Sequence, residues 1–162
     1  IDDDVIYEFD LLERLITSYL DDPTFIYCGR QHRMLLNEKK ELLSYLQWDY
    51  QSSNSDANIM NFPTGCGGVL YPPNSLDNEV LNETIFMDIC KYADDVWFKA
   101  MAIKKGTLSK KVYTHNPKGE DFIEIANVQD IALKNINTQG EVLNDKQIHD
   151  VFTYYNLYKL LK

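Results

Sequence analysis

Lys91-Tyr92-Ala93-Asp94-Asp95-Val96-Trp97-Phe98-Lys99-Ala100-Met101 is the stretch on which the reading of the fold turns. Two adjacent acids head an amphipathic run in which Val96, Trp97, Ala100 and Met101 recur at helical spacing. Gly106 supplies a stop. This predicts a helix with Asp94 at its cap. An Asp at the N-cap and another in the first turn answer the unpaired amides and the helix dipole. The pair also suits chemistry, with Asp94 positioning and Asp95 facing a cleft as general base. Two neighbouring carboxylates raise the pKa of one of them. From these residues alone, both readings stand.

Upstream lies Phe62-Pro63-Thr64-Gly65-Cys66-Gly67-Gly68-Val69-Leu70-Tyr71-Pro72-Pro73. Three glycines in four residues let the backbone bend sharply and approach a ligand closely. No Lys-Ser/Thr follows, so this is not a Walker loop, and Pro72-Pro73 blocks the helix that a dinucleotide fingerprint needs. A tight turn explains the loop equally well. A further acid cluster, Asp2-Asp3-Asp4, precedes Val5-Ile6-Tyr7. In a strand, Asp2 and Asp4 would share one face and offer hard oxygens to Mg2+ or Mn2+. The alternative is an acidic turn. The calcium-loop pattern is not met.

The rest of the chain reads as interspersed helices and strands, a mixed α/β (α+β) class. Leu11, Leu12, Leu15, Ile16, Tyr19 and Leu20 predict a helix from Asp10, ended by Asp21-Asp22-Pro23. Strands are expected at 24–28, 30–36, 69–71, 108–115 and 121–126. Residues 42–50 fit strand or helix, and 51–58, rich in Ser and Asn, predict a mobile loop. Asn82 suits the cap of a helix bearing Ile85, Phe86, Ile89 and Cys90. A short helix is expected at 131–136. A last helix opens at Asn144-Asp145, with Ile148, Val151, Phe152, Tyr155 and Tyr158 on one face.

The length of 162 residues suits a single domain, 1–162, with a sizeable core. A net charge of -9 without a basic stripe argues against a nucleic-acid partner, and a phosphorylated ligand would need a cation to screen the repulsion. The 11 tyrosines serve a core or the faces of sugar rings. Cys28, Cys66 and Cys90 form neither a disulfide framework nor a zinc pattern, which fits a reducing, cytoplasmic setting. No apolar run approaches the roughly 20 residues of a membrane span. His32, His115 and His149 lack the i, i+4 pairing of a zinc helix; His149 reads as a surface residue and His115 as a lone ligand or a loop histidine. A glycosidase-like use of Asp94-Asp95 fails on geometry, because adjacent residues do not face each other across a bond.

Taken together, Ile-Asp-Asp-Asp-Val-Ile-Tyr, Pro-Thr-Gly-Cys-Gly-Gly-Val-Leu-Tyr-Pro-Pro, Ala-Asp-Asp-Val-Trp-Phe-Lys-Ala-Met and Asn144-Asp-Lys-Gln147 resemble the C-terminal portion of bacterial GT-A-fold glycosyltransferases. The nearest group is the family-2-like enzymes of capsular and surface polysaccharide synthesis. The resemblance covers essentially the whole chain. It implies that Asp2 and Asp4 match the DxD motif, which holds Mn2+ or Mg2+ on the donor diphosphate. In some relatives a downstream histidine is a third ligand, and His115 is the candidate here. Asp94-Asp95 matches the acidic pair that opens the acceptor-side helix, Asp95 being the base of an inverting transfer. Gly65, Gly67 and Gly68 would lie near the transferred sugar, Tyr71 would line the substrate site, and Trp97 would shape the acceptor pocket.

The resemblance further implies a nucleotide-sugar donor and a glycan or lipid-linked acceptor. Such an enzyme would sit in the cytoplasm, at the inner membrane face where the acceptor is lipid-linked. The nucleotide-binding half that opens such enzymes is not in this sequence, so the chain is expected to be the acceptor half, inactive by itself. Its cut edge is expected to pair as a homodimer. The alternative is a non-catalytic carbohydrate-binding or accessory module.

Overall fold

The computed structural model describes residues 1–116, 121–125 and 143–161. Its architecture is mixed α/β, with small separate sheets and four α-helices among those residues. The strands are β1 (Val5–Tyr7), β2 (Ile26–Cys28), β3 (Gln31–Arg33), β4 (Asn61–Pro63), β5 (Val69–Leu70), β6 (Ser109–Lys111) and β7 (Phe122–Glu124). The helices are α1 (Leu11–Asp21), α2 (Glu83–Ile89), α3 (Asp94–Lys105) and α4 (Leu143–Tyr154). No helix among the described residues is long and apolar enough to cross a membrane.

β2 is the central strand of the largest sheet, paired antiparallel with β5 and parallel with β6. All three of its residues are buried, as a strand covered on both faces requires. β1 pairs antiparallel with β7, and β3 with β4. β4, carrying Asn61 and Pro63, escapes a propensity reading. Asn61 is fully buried: its amide donates to Asp56 O and Ser109 O, and its oxygen accepts from Arg33 Nη1 at 2.7 Å.

α3 packs against α4 and is buried along most of its length, with Val96, Trp97, Ala100, Met101 and Ile103 at 2% exposure or less. Gly106 closes it at φ 84°, its N–H reaching Ala102 O and Ile103 O, as the sequence predicts. Ile148, Val151 and Phe152 of α4 complete this core. A smaller core joins Leu11 and Leu15 of α1 to Tyr27 and Val112. Leu12, Ile16 and Leu20 of α1 point outward instead, at 57%, 48% and 73% exposure.

One expectation is corrected. Asp3 and Asp4 lie in a turn ahead of β1, so strand alternation does not place Asp2 and Asp4 on one face. Residues 45–47 form a 3-10 turn. The 51–58 loop is anchored: Lys111 Nζ donates to Ser52 O, Gln31 Nε2 to Asn54 O and Asn61 Nδ2 to Asp56 O. The helix expected at 131–136 lies outside the described residues.

Candidate functional site

The glycine loop forms a 3-10 turn over Gly65–Gly67 that is built against the residues following β2. A Cβ on Gly67 would come within 2.2 Å of Arg30 Cβ, so only glycine fits there. Gly68 sits at φ 76°, where a side chain would be strained and would also meet Leu11 of α1. Gly65 contributes its N–H, which donates to Asp95 Oδ1 at 2.9 Å. A Cβ placed on Gly65 would lie 3.2 Å from Asp95 Oδ1 and 3.5 Å from Asp2 Oδ1. The loop therefore brings together two acids from distant parts of the chain.

Asp95 is half-buried, which leaves an approach to it. Burial of its carboxylate and repulsion from Asp94 push its pKa up to about 7, with Asp2 adding to the rise. The Gly65 N–H and the Arg30 guanidinium oppose it. Asp2 is also raised, first by partial burial of its carboxylate; the chain's amino terminus opposes, and Asp4, Asp94 and Asp3 add repulsion. Its amide donates to the Tyr7 hydroxyl at 2.8 Å. Asp94 is exposed as the first residue of α3, one place inside the Ala93 cap, and its carboxylate accepts the Asp95 N–H at 3.0 Å. It holds the start of the helix from within, where the sequence suggests a cap residue.

Arg30 is the buried cation beside these acids, a residue the sequence reading does not single out. Its guanidinium donates to Thr64 Oγ1 at 3.0 Å, Cys66 Sγ at 3.1 Å and the Tyr50 hydroxyl at 2.8 Å. Tyr50 stacks in turn on His32, whose centroid is 4.3 Å away. Burial, helped by Arg30, drops the His32 pKa to about 3, so this histidine is neutral, accepting the Gln51 N–H at its Nδ1. The one available signal was Gly29-Arg30 directly after a buried strand.

Tyr71 and Asp95 line one tight crevice together with Lys99 and Ser109. Burial raises the Tyr71 phenol well above its usual range, with Asp95 adding to the effect. Lys99 is 2% exposed, its Nζ and the Ser109 hydroxyl have no hydrogen-bond partner among the described residues, and burial drops its pKa to about 7. A lysine one turn after Asp95 reads as solvated in sequence, so this burial was missed.

Two site expectations are corrected. Trp97 is 2% exposed and packs in the core against Phe86 and Tyr155, its indole N–H donating to Val80 O at 3.1 Å. It supports α3 from behind and does not face Asp95. His115 is carried away to α1, where its ring sits 3.1 Å from Asp10 Oδ2. Among the described residues, no three His, Cys, Asp or Glu side chains converge into a metal-binding group. A magnesium-type ion does not need one, since one or two carboxylates plus substrate phosphates suffice. Asp4 lies close enough to Asp2 to add repulsion to its carboxylate.

The fold and site thus define a mixed α/β chain in which a half-buried acid, Asp95, is held on a glycine loop. No protein-family model, curated protein or solved structure matches it.

Proposed function

We propose that this chain is the acceptor-side part of a glycosyltransferase that moves a sugar from a nucleotide-sugar donor onto a hydroxyl of a glycan or lipid-linked acceptor. The observation that carries the reading is Asp95: half-buried, pinned through one oxygen by Gly65, and poised near neutrality by burial of its carboxylate together with Asp94 and Asp2. A general base works best when its pKa lies near the working pH. Asp95 takes the proton of the acceptor hydroxyl as its oxygen attacks the sugar carbon, while Asp94 and the Gly65 N–H keep the carboxylate in place. Asp2 and Asp4 would hold a divalent cation together with the donor diphosphate. That ion, when bound, neutralises the leaving group.

The test is release of nucleoside diphosphate by the longest natural chain that carries this sequence, supplied with Mn2+, a panel of nucleotide sugars and glycan acceptors. Asp95→Asn should abolish turnover and leave donor binding nearly intact. Full turnover in that variant removes Asp95 from the mechanism. Glycan binding without metal and without turnover on any donor would favour the accessory-module alternative.

A further inference from the structure

α1 carries a second surface apart from the acid site. Asp10, Arg14 and Ser18 recur every four residues, as do Glu13 and Thr17, so these five form one polar face. That face and Tyr113 enclose an open cleft of about 420 Å3, within the range of small-ligand pockets. Tyr113 is 72% exposed yet held in place. Its carbonyl accepts Arg14 Nη1 at 2.6 Å, and its ring meets the His115 ring edge-on at 5.6 Å. His115 is itself fixed, its ring 3.1 Å from Asp10 Oδ2 and its N–H donating to Asp121 Oδ2 at 2.7 Å.

We propose that this cleft between α1 and Tyr113 is a binding subsite for a neutral sugar unit of a glycan chain. A fixed aromatic face takes the C–H side of a sugar ring at little entropic cost. Its hydroxyls need acceptors and donors in close alternation, which Asp10, Glu13, Thr17 and Ser18 supply. Charge selects against anionic ligands. Among the described residues Arg14 is the one permanent cation lining the cleft, it is already paired with Asp10 at 3.0 Å and Asp121 at 3.1 Å, and Glu13 adds a further negative charge. The inference rests on the carbohydrate reading above only for its ligand class, because none of these residues belongs to the Asp95 site.

The experiment measures binding of neutral tetrasaccharides (β-1,4-glucose, α-1,4-glucose and β-1,4-N-acetylglucosamine) and of tetragalacturonate by calorimetry and saturation-transfer NMR. At least one neutral tetrasaccharide should bind. Tyr113→Ala should weaken it by about tenfold and Tyr113→Phe by less than about twofold, since stacking rather than the hydroxyl is used. Ser18→Trp, which fills the cleft, should weaken it too. Absence of binding by all neutral probes, tighter binding of tetragalacturonate, or undiminished binding in both Tyr113→Ala and Ser18→Trp overturns the proposal. Asp95→Asn should leave this binding within about twofold of the parent while abolishing transfer, so the two readings fail separately.

Discussion

The Gly65 amide and the Asp95 carboxylate are 2.9 Å apart although 30 residues separate them in sequence. This bond favours the ionised acid, and it is outweighed by burial and by Asp94. Asp95 thus has a folded-state pKa near 7 against an ordinary value of 3.8. Between these values the folded chain binds more protons than the unfolded one, so stability falls as pH rises through that window. The slope reaches at most about 1.4 kcal/mol per pH unit. Asp95→Asn should flatten it, and urea unfolding should show the variant gaining on the parent from pH 5 to pH 8. Parallel curves would mean that Asp95 titrates normally.

Lys99 has the opposite sign. Its folded pKa of about 7 lies below the ordinary 10.5, so the unfolded chain holds the extra proton and stability rises with pH across that interval. At pH 6 the folded chain must bury a charged, unpartnered ammonium. Lys99→Met should therefore stabilise the protein there by about 1–3 kcal/mol, with a smaller gain at pH 10. Thermal melts at the two pH values test this; a loss of stability at pH 6 would reveal a partner for Lys99.

Gly67→Ala places a methyl group 2.2 Å from Arg30 Cβ, a clash that only backbone movement relieves. A cost of about 2–3 kcal/mol is expected, together with a shift of the Gly65–Asp95 contact visible in the amide resonance of Gly65. An unchanged spectrum would show that the loop gives way more easily than its packing suggests.

Trp97 separates a packing role from a substrate role. Trp97→Ala should cost about 3–5 kcal/mol, whereas Trp97→Phe should be milder and leave acceptor saturation unaltered. A raised acceptor KM in a well-folded Trp97→Phe protein would return this residue to the binding site.

Divalent-cation affinity, read from Mn2+ paramagnetic broadening in the presence of a nucleoside diphosphate, should drop by about tenfold or more in Asp2→Asn and Asp4→Asn. His115→Ala should leave it unchanged, because His115 faces Asp10. Equal broadening in all three variants would place the ion elsewhere.

α3 was legible from sequence because apolar spacing, first-turn acids and Gly106 agree with one another. Asn82 likewise announces α2, its side chain accepting the Ile85 N–H. The site was legible as separate pieces only. That Asp2 and Asp95 meet at Gly65 is set by the packing of Gly67 on Arg30, which no local pattern encodes. Lys99 went unremarked in sequence because lysine is almost never buried. Trp97 was misread because Asp95 faces the site while Trp97, two positions on, points into the core. α1 shows the converse: its Leu12, Ile16 and Leu20 carry a helical period yet stay outside the core, so period fixes the element and not its orientation.

The parallel pairing of β2 with β6 sets an order of events in time. The Cys28 thiol meets Lys110 O across a sequence separation of 82, a loop whose closure entropy must be met before the central strand gains its second neighbour. Contacts of such range slow folding. During synthesis β2 emerges before β6 and waits for the stretch between them, with the Asp95 helix lying inside the loop that must close. The acid site is therefore expected to mature only once β6 has docked against β2.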